Sequence, residues 1–351
     1  MFKQLNIKPK EMGYRFPAEW EKHDATWLSY PHKEASWPGK LDLIFTYYHA
    51  FIKIIAQKEK VNINVLDNTT KVKLSNILTN DYGLKPHQFE VFVHPTNDAW
   101  CRDHGPTFLT NKTAEHPKVI IDWDYNAWGG KYPPYDLDDV IPTLIAQHYK
   151  IPVIYPNIIM EGGSVEFNGN NTVLTTKHCL CNKNRNPHLS QREIEQFLVD
   201  YYCVDQILWL NEGIVGDDTD GHVDDITRFI NEDTVVTVIE HSKSDANYQI
   251  LKQNAKDLSK MRLLNDKQLN IIELPMPKAV IFDGQRLPAS YANFYISNEA
   301  VIVPLFNDAN DGIALEILQK HFDRTVIGID SVDIIWGLGS FHCLSQQEPA
   351  I

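Results

Sequence analysis

Apolar and polar positions along this chain fall into a motif that recurs four times. Each copy is an apolar strand, a tight polar turn and a second strand rich in Val, Ile and Thr. The copies read GPTFLTNKTAEHPKVIID from Gly105, SVEFNGNNTVLTT from Ser164, ITRFINEDTVVTVIE from Ile226 and NFYISNEAVIVPL from Asn293. Turn residues between β-branched runs predict a β-hairpin in each case. Marked at Thr107, Val165, Thr227 and Asn293, the copies stand 58, 62 and 66 residues apart. Near-equal spacing over four copies identifies a structural repeat.

Helical patterns fill the gaps. Ser190-Gln-Arg-Glu193 is a capping box, and Ile194, Phe197, Leu198, Tyr201 and Tyr202 then share one helical face. Tyr248, Leu251, Ala255 and Leu258 define a second such face. Further helices are predicted over 41–56, 138–148 and 312–321. Two strand-like strings remain, TWLSYP (26–31) and SFHCL (340–344). Together they predict a fifth unit that joins the N- to the C-terminus. Repeated units of hairpin plus helix imply a radial α/β arrangement whose loops converge on one axis. No segment is low in complexity and none reads as a linker, so a single domain over 1–351 is expected.

Composition narrows the partners. The chain has 351 residues, 43% of them hydrophobic, which excludes a disordered chain. No apolar run reaches the roughly 20 residues that a bilayer requires, so no membrane association is expected. Lys and Arg total 33 against 46 Asp and Glu, a net charge of −13. An acidic surface repels phosphate backbones, which argues against nucleic acid, and attracts small cations. The five cysteines, Cys101, Cys179, Cys181, Cys203 and Cys343, are odd in number and sparse. With an N-terminus that lacks a secretory pattern, they place the chain in a reducing cytoplasm.

Reactive residues gather where the apolar strands begin. The strings are TNDAWCRDHGP (96–106), MEGGS (160–164), GDDTDGHVDD (216–225) and GLGSFHC (337–343). In a closed fold they would face one another. Cys343 follows small residues that let a ligand approach, and is either a nucleophile or a small buried hydrophobe. His222 and Asp224 stand two apart, which in a strand directs both to one face. Asp103 and Glu161 add carboxylates from two other units. Facing carboxylates repel unless a cation lies between them. A guanidinium suits them, because its planar fork donates paired hydrogen bonds, and Trp100 offers an aromatic face for it. A thiol and an imidazole beside a held guanidinium point to attack on its central carbon with loss of ammonia. His178, Cys179 and Cys181 leave a metal site open as another reading, although the spacing is not that of a zinc motif.

The strings PAEWEKHDATWLSYPHKEASWPGK, TNDAWCRDHGPTF, EGGSVEFNG, DDTDGHVDDITRF and SFHCLSQQEP closely resemble agmatine deiminases, relatives of the bacterial-type peptidylarginine deiminases among the guanidino-modifying penteins. The match runs from about Pro17 to Pro349. The resemblance implies the pentein fold, a pseudo-fivefold α/β propeller of ββαβ units. It also implies roles. Cys343 matches the nucleophile, His222 the general acid/base, and Asp103 and Asp224 the carboxylates that grip the guanidinium. Glu161 matches a residue that orients the histidine, and Trp100 an aromatic of the pocket. Asp218, and more weakly Asp217, match positions near the distal amine of agmatine. The resemblance implies no metal and no organic cofactor, and a homo-oligomer. Leu338 and Ser340 interrupt a loop that is usually all glycine in the family. The alternatives are free arginine, peptidyl-arginine, amidino transfer, a metallohydrolase built on His222, Asp224 and the His178/Cys181 cluster, and a binding module without catalysis.

Overall fold

Two parallel strands cannot be joined by a tight turn, so each needs a long crossover, commonly a helix. That constraint organises the whole chain. The computed structural model describes residues 3–351. Thr107–Thr110 pairs antiparallel with Lys118–Ile121, which pairs parallel with Val153–Ile154 after the helix Ile141–Tyr149. The pattern returns with Val165–Phe167, Thr172–Thr176 and Gln206–Leu210 around the helix Gln191–Tyr201. It returns again with Thr227–Asn231, Thr234–Ile239 and Asn270–Pro275 around Tyr248–Leu258. The fourth copy is Tyr295–Ile296, Ala300–Leu305 and Thr325–Asp330 around Asp311–Gln319. All four predicted hairpins form.

The fifth sheet joins the chain ends. Ser345–Pro349 pairs antiparallel with His23–Ser29, which pairs parallel with Lys60–Val65 after the helix Leu41–Ile55. A fourth strand, Phe89–Val93, widens this sheet after the helix Asn68–Asn80. The fifth unit was expected, but with its last strand at 340–344. Those residues instead form a tight turn, and the strand starts at Ser345. The shift leaves Cys343 in the turn that precedes the strand.

Two other expectations need correction. His222 and Asp224 are not in a strand: His222 caps a single 3₁₀ turn, Val223–Asp225. The helix expected over 138–148 is divided into Asp136–Asp139 and Ile141–Tyr149, with Pro142 in the first turn of the second piece, where proline is tolerated. Cys101 opens the short helix Cys101–His104 and is fully buried.

The central strands are buried along nearly their full length, as in Thr172–Thr176 and Ala300–Leu305, because helices cover the outer faces. No helix of the described residues is long and apolar enough to cross a membrane. The capping box forms with both its bonds: Ser190 Oγ accepts from the Glu193 amide, and Glu193 Oε2 accepts from the Ser190 amide at 2.7 Å. Ser190→Ala therefore lowers the unfolding free energy by about 1 kcal/mol. Denaturant titration checks this, and a change within error would mean that tertiary packing alone sets the start of that helix.

Candidate active site

A short turn precedes the first strand of every hairpin, and each turn delivers polar groups to one place. Cys101–His104 brings Asp103, Gly162–Ser164 follows Glu161, and Val223–Asp225 carries Asp224 beside His222. The turn before Tyr295–Ile296 adds Asn293, and the turn before Ser345–Pro349 adds His342 and Cys343. The repeat therefore places one chemically loaded turn per unit at a shared centre.

Cross-unit contacts lock these turns together. The Gly163 amide donates to Asp103 Oδ1 at 3.0 Å, and His222 Nδ1 lies 3.6 Å from the same oxygen. Trp128 Nε1 donates to Asp103 Oδ2 at 2.9 Å. Asn293 Nδ2 donates to Cys343 Sγ at 3.0 Å and to Asp225 Oδ1 at 2.9 Å. Cys343 Sγ stands 3.7 Å from Asp224 Oδ2. A Cβ built on Gly163 would lie 2.6 Å from His222 Nδ1, 2.8 Å from Asp103 Oδ1 and 3.1 Å from Asp224 Oδ2. The bare backbone at that position is what lets three polar groups meet.

Cys343 opens onto a pocket of about 360 Å³. Trp100, Trp128, Asp103 and Asp218 line it together with Phe282 and Trp336, whose rings are tilted by 33° with centroids 3.6 Å apart. Trp100 packs so closely on the cysteine loop that a Cβ at Gly337 or Gly339 would fall 2.7 or 2.5 Å from its ring. The glycines of that loop thus serve close approach. Leu338 between them adopts a left-handed backbone, φ 72°, and lines the pocket.

Of the buried polar atoms without a hydrogen-bond partner, three lie at this centre: Asp224 Oδ1, Glu161 Oε2 and His222 Nε2. Buried polar atoms are nearly always satisfied, so the two carboxylate oxygens are open to a hydrogen-bond donor. The remaining Glu161 oxygen, Oε1, accepts from Arg185 Nε at 2.5 Å, and Arg185 also pairs with Asp220 at 2.6 Å.

Electrostatics follow from burial. Burial pushes the Asp103 carboxyl up, against the pull of His222. Burial opposes a charge on His222, but Asp103, Cys179 and Asp224 outweigh it and hold the imidazole well above its ordinary value. The Cys343 thiol is raised well above 9 by burial and then by Asp224, Asp225 and Asp103. Burial also pushes Asp224 up, yet the hydrogen bond and charge of His342, helped by His222 and Arg228, leave its carboxyl below the usual range.

Of the residues singled out from sequence, Cys343, His222, Asp224, Asp103 and Glu161 gather at this centre, and Trp100 and Asp218 line the pocket. Asp218 already accepts from Tyr132 Oη and lies 3.7 Å from Lys131 Nζ. Asp217 is not on the pocket wall, contrary to expectation. It is half-buried, its oxygens accepting from the amides of Thr219 at 2.8 Å and His222 at 2.9 Å, so it fixes the acidic loop. The suggested His178/Cys181 cluster does not assemble. Cys181 is exposed, whereas Cys179 is buried with its sulfur within 4.8 Å of Glu161 and His222. Sequence reading missed Trp128, Asn293, Arg185, Glu19 and His342. His342 and Glu19 stood within strings already picked out, but nothing local to them signals a buried pairing.

A thiol, an imidazole and several carboxylates thus meet at and behind the wall of one acidic pocket. Similarity to known proteins gives the family. The model of the Porphyromonas-type peptidyl-arginine deiminase family matches residues 15–349, and the chain belongs to that family. A relative from Legionella pneumophila (strain Philadelphia 1) is 37% identical over 350 residues, 98% of this chain and 97% of its own. The structure of the agmatine deiminase of Enterococcus faecalis is similar, with 32% identity, 99% of each chain covered and a TM-score of 0.90. So is a Cys-to-Ser C. jejuni agmatine deiminase with substrate bound, at 31% identity, 95% and 96% coverage and a TM-score of 0.86.

Adding one methyl group at Gly163 should separate the three site groups. Gly163→Ala is expected to lower ligand binding or turnover by at least about tenfold, the effect of roughly 1.4 kcal/mol. Gly312→Ala is the control, since nothing lies within 4 Å of a Cβ there. Equal behaviour of the two variants in a binding assay would show that the close approach at Gly163 is unimportant.

Proposed function

We propose that this chain, as one catalytic domain over 1–351, hydrolyses agmatine to N-carbamoylputrescine and ammonia on a pseudo-fivefold pentein propeller. The observation that carries the reading is the buried cluster behind the pocket. Cys343, on the pocket wall, lies 3.7 Å from Asp224, whose Oδ1 has no partner, and Glu161 beside His222 keeps one unpartnered oxygen, a constellation that suits the N–H groups of a guanidinium. Five sheets of one design, with the chain ends paired in the fifth, support the propeller.

In this reading Asp103 and Asp224 hold the guanidinium in plane and Trp100 lies against it. The bound cation offsets the carboxylates that hold the thiol protonated, and so favours the Cys343 thiolate. The sulfur attacks the central carbon and the C=N electron pair moves onto nitrogen. His222, charged in the free site, gives its proton to the departing nitrogen, and ammonia leaves. An S-alkylthiouronium on Cys343 remains. His222, now neutral, takes a proton from water as the oxygen attacks the same carbon. The carbon–sulfur bond then breaks, and the ureido product departs with the thiolate restored.

Agmatine is favoured over free arginine because the wall offers no unengaged cation for an α-carboxylate. Among the described residues lining the pocket Lys33 is the cation, and it pairs with Asp98 at 3.2 Å. Arg102 and Arg228 are buried away from the pocket and pair with Glu19. Asp218 at the rim suits a distal ammonium. A metallohydrolase fits less well, since a metal-bound imidazole must be deprotonated and Arg185 already occupies Glu161.

Purified protein should release ammonia from agmatine, and much less from free arginine or a blocked arginyl peptide. Cys343→Ala should abolish turnover, and Asp103→Asn should cost about 2–3 kcal/mol in kcat/KM. Ammonia from the peptide alone would move the activity to protein-bound arginine. Unchanged turnover in Cys343→Ala would end the covalent mechanism. A second measurement concerns the free thiol. Iodoacetamide should modify Cys343 slowly at pH 7, with a rate still rising beyond pH 9, because only the thiolate reacts. A plateau near neutral pH would mean that the thiolate is preformed and needs no substrate cation.

A further inference from the structure

The residue next to the cysteine faces away from the pocket and into a buried chain of charges. His342 Nδ1 lies 2.6 Å from Asp224 Oδ2, and His342 Nε2 lies 2.8 Å from Glu19 Oε2. Asp224 is fully buried, and His342 and Glu19 are 1% and 7% exposed. Both ring nitrogens therefore meet buried carboxylates, beside a small cavity of about 20 Å³ that Glu19, Arg102 and His342 help to line. Glu19 is anchored in turn. The same Oε2 accepts from Arg228 at 3.0 Å and Arg102 at 3.3 Å, and its Oε1 accepts from the Ile296 amide at 2.8 Å. Arg228 is held by Glu166 at 2.9 Å and by the Phe294 carbonyl at 2.6 Å. The chain thus runs from a rigid, fully buried ion cluster to one oxygen of Asp224.

The two oxygens of Asp224 are treated differently. Oδ2 is taken by His342, with Asn293 Nδ2 at 3.4 Å, while Oδ1 has no partner within the protein. A carboxylate pinned by one oxygen cannot rotate, so the other keeps a fixed direction. We infer that Glu19 and His342 form a positioning relay that fixes Asp224, so that its free oxygen is presented to the substrate cation. The inference rests on the proposed guanidinium reading and adds to it two residues that do not touch the substrate.

The relay also bears on charge. The groups facing Asp224 are His342 and Cys343 from the last turn, His222, Asp217 and Asp225 from its own loop, Asp103 from the first turn, and Arg228 from the adjoining strand. The hydrogen bond from His342 foremost, with His222 and Arg228 nearby, keeps the Asp224 carboxyl low despite its burial and its acidic neighbours. Without His342 that carboxyl should gain its proton at higher pH, and the acid side of the activity profile should move with it.

Two amide substitutions separate the links. An asparagine amide occupies roughly the place of Nδ1, and a glutamine amide that of Nε2. His342→Asn keeps a donor toward Asp224 and loses Glu19, whereas His342→Gln keeps Glu19 and frees Asp224. With agmatine, His342→Gln is expected to lose at least about a hundredfold in kcat/KM and His342→Asn about tenfold, both with raised KM. The acid limb should shift upward by about one pH unit in His342→Gln. Agmatine binding in a Cys343→Ala background, followed by calorimetry, should weaken in the same order, and this needs no turnover. Wild-type turnover and wild-type binding are the references, and their absence would overturn the agmatine reading itself. Where wild type binds agmatine, equal binding by the two variants with an unmoved acid limb would overturn the relay. So would losses that follow melting temperature alone.

Discussion

Carboxylates concentrated around one thiol are the constraint on which this structure depends. Asp103, Asp224, Asp225 and Glu161 are all buried near Cys343 or His222. Bringing like charges together in a poorly solvated place is unfavourable unless protons or cations balance them. The protein balances them from outside the pocket. Arg185 holds Glu161, His342 holds Asp224, and Arg102 and Arg228 converge on Glu19. No arginine is spent on the inner face toward the cysteine. His222 balances part of the charge there, and on the proposed reading a substrate cation would complete it.

The repeat explains how one chain can assemble such a site. Each unit contributes the same structural position, the turn before its first strand, and sequence is free to vary at that position because it carries no strand hydrogen bonds. Five turns from distant parts of the chain then act as five independently chosen ligands. The sheets behind them, buried on both faces, hold the turns rigidly. The tightest evidence of this is Gly163, where any side chain would collide with groups from two other units.

Much of this was legible in the sequence, for reasons that also explain what was not. The four hairpins announce themselves because Val, Ile and Thr flank turn residues within a few positions. The helix Asn68–Asn80 carries no such signal, since only Leu74 and Leu78 are buried on it and its start is fixed by one bond to Asp67. The last strand was misplaced because Ser345–Pro349, SQQEP, is polar throughout yet buried among other polar partners, as Gln347 on Arg102 shows. The cysteine, the histidine and the acidic residues stood out as reactive types in short strings. Asn293 and Trp128 did not, because their role arises from contacts across units. Asp217 was grouped with Asp218 by adjacency, yet the two diverge in space, one inward to the backbone and one to the rim.

In the free site the acid of the proposed mechanism is ready and its nucleophile is not. The thiol is held neutral by the carboxylates around it, and the imidazole is held charged by those same carboxylates. A neutral thiol beside an imidazolium is a resting state, poor at attacking anything. Entry of a cation changes the thiol's surroundings, since a positive charge next to sulfur offsets Asp224 and Asp103. The imidazolium is then already in the protonation state that a departing amine needs. On the proposed mechanism, a single arrangement of carboxylates would select a cationic substrate, keep the nucleophile quiet without one, and store the acid for the first step. Specificity and activation arise from the same buried charges, so a neutral analogue that filled the pocket equally well would still leave the thiol protonated.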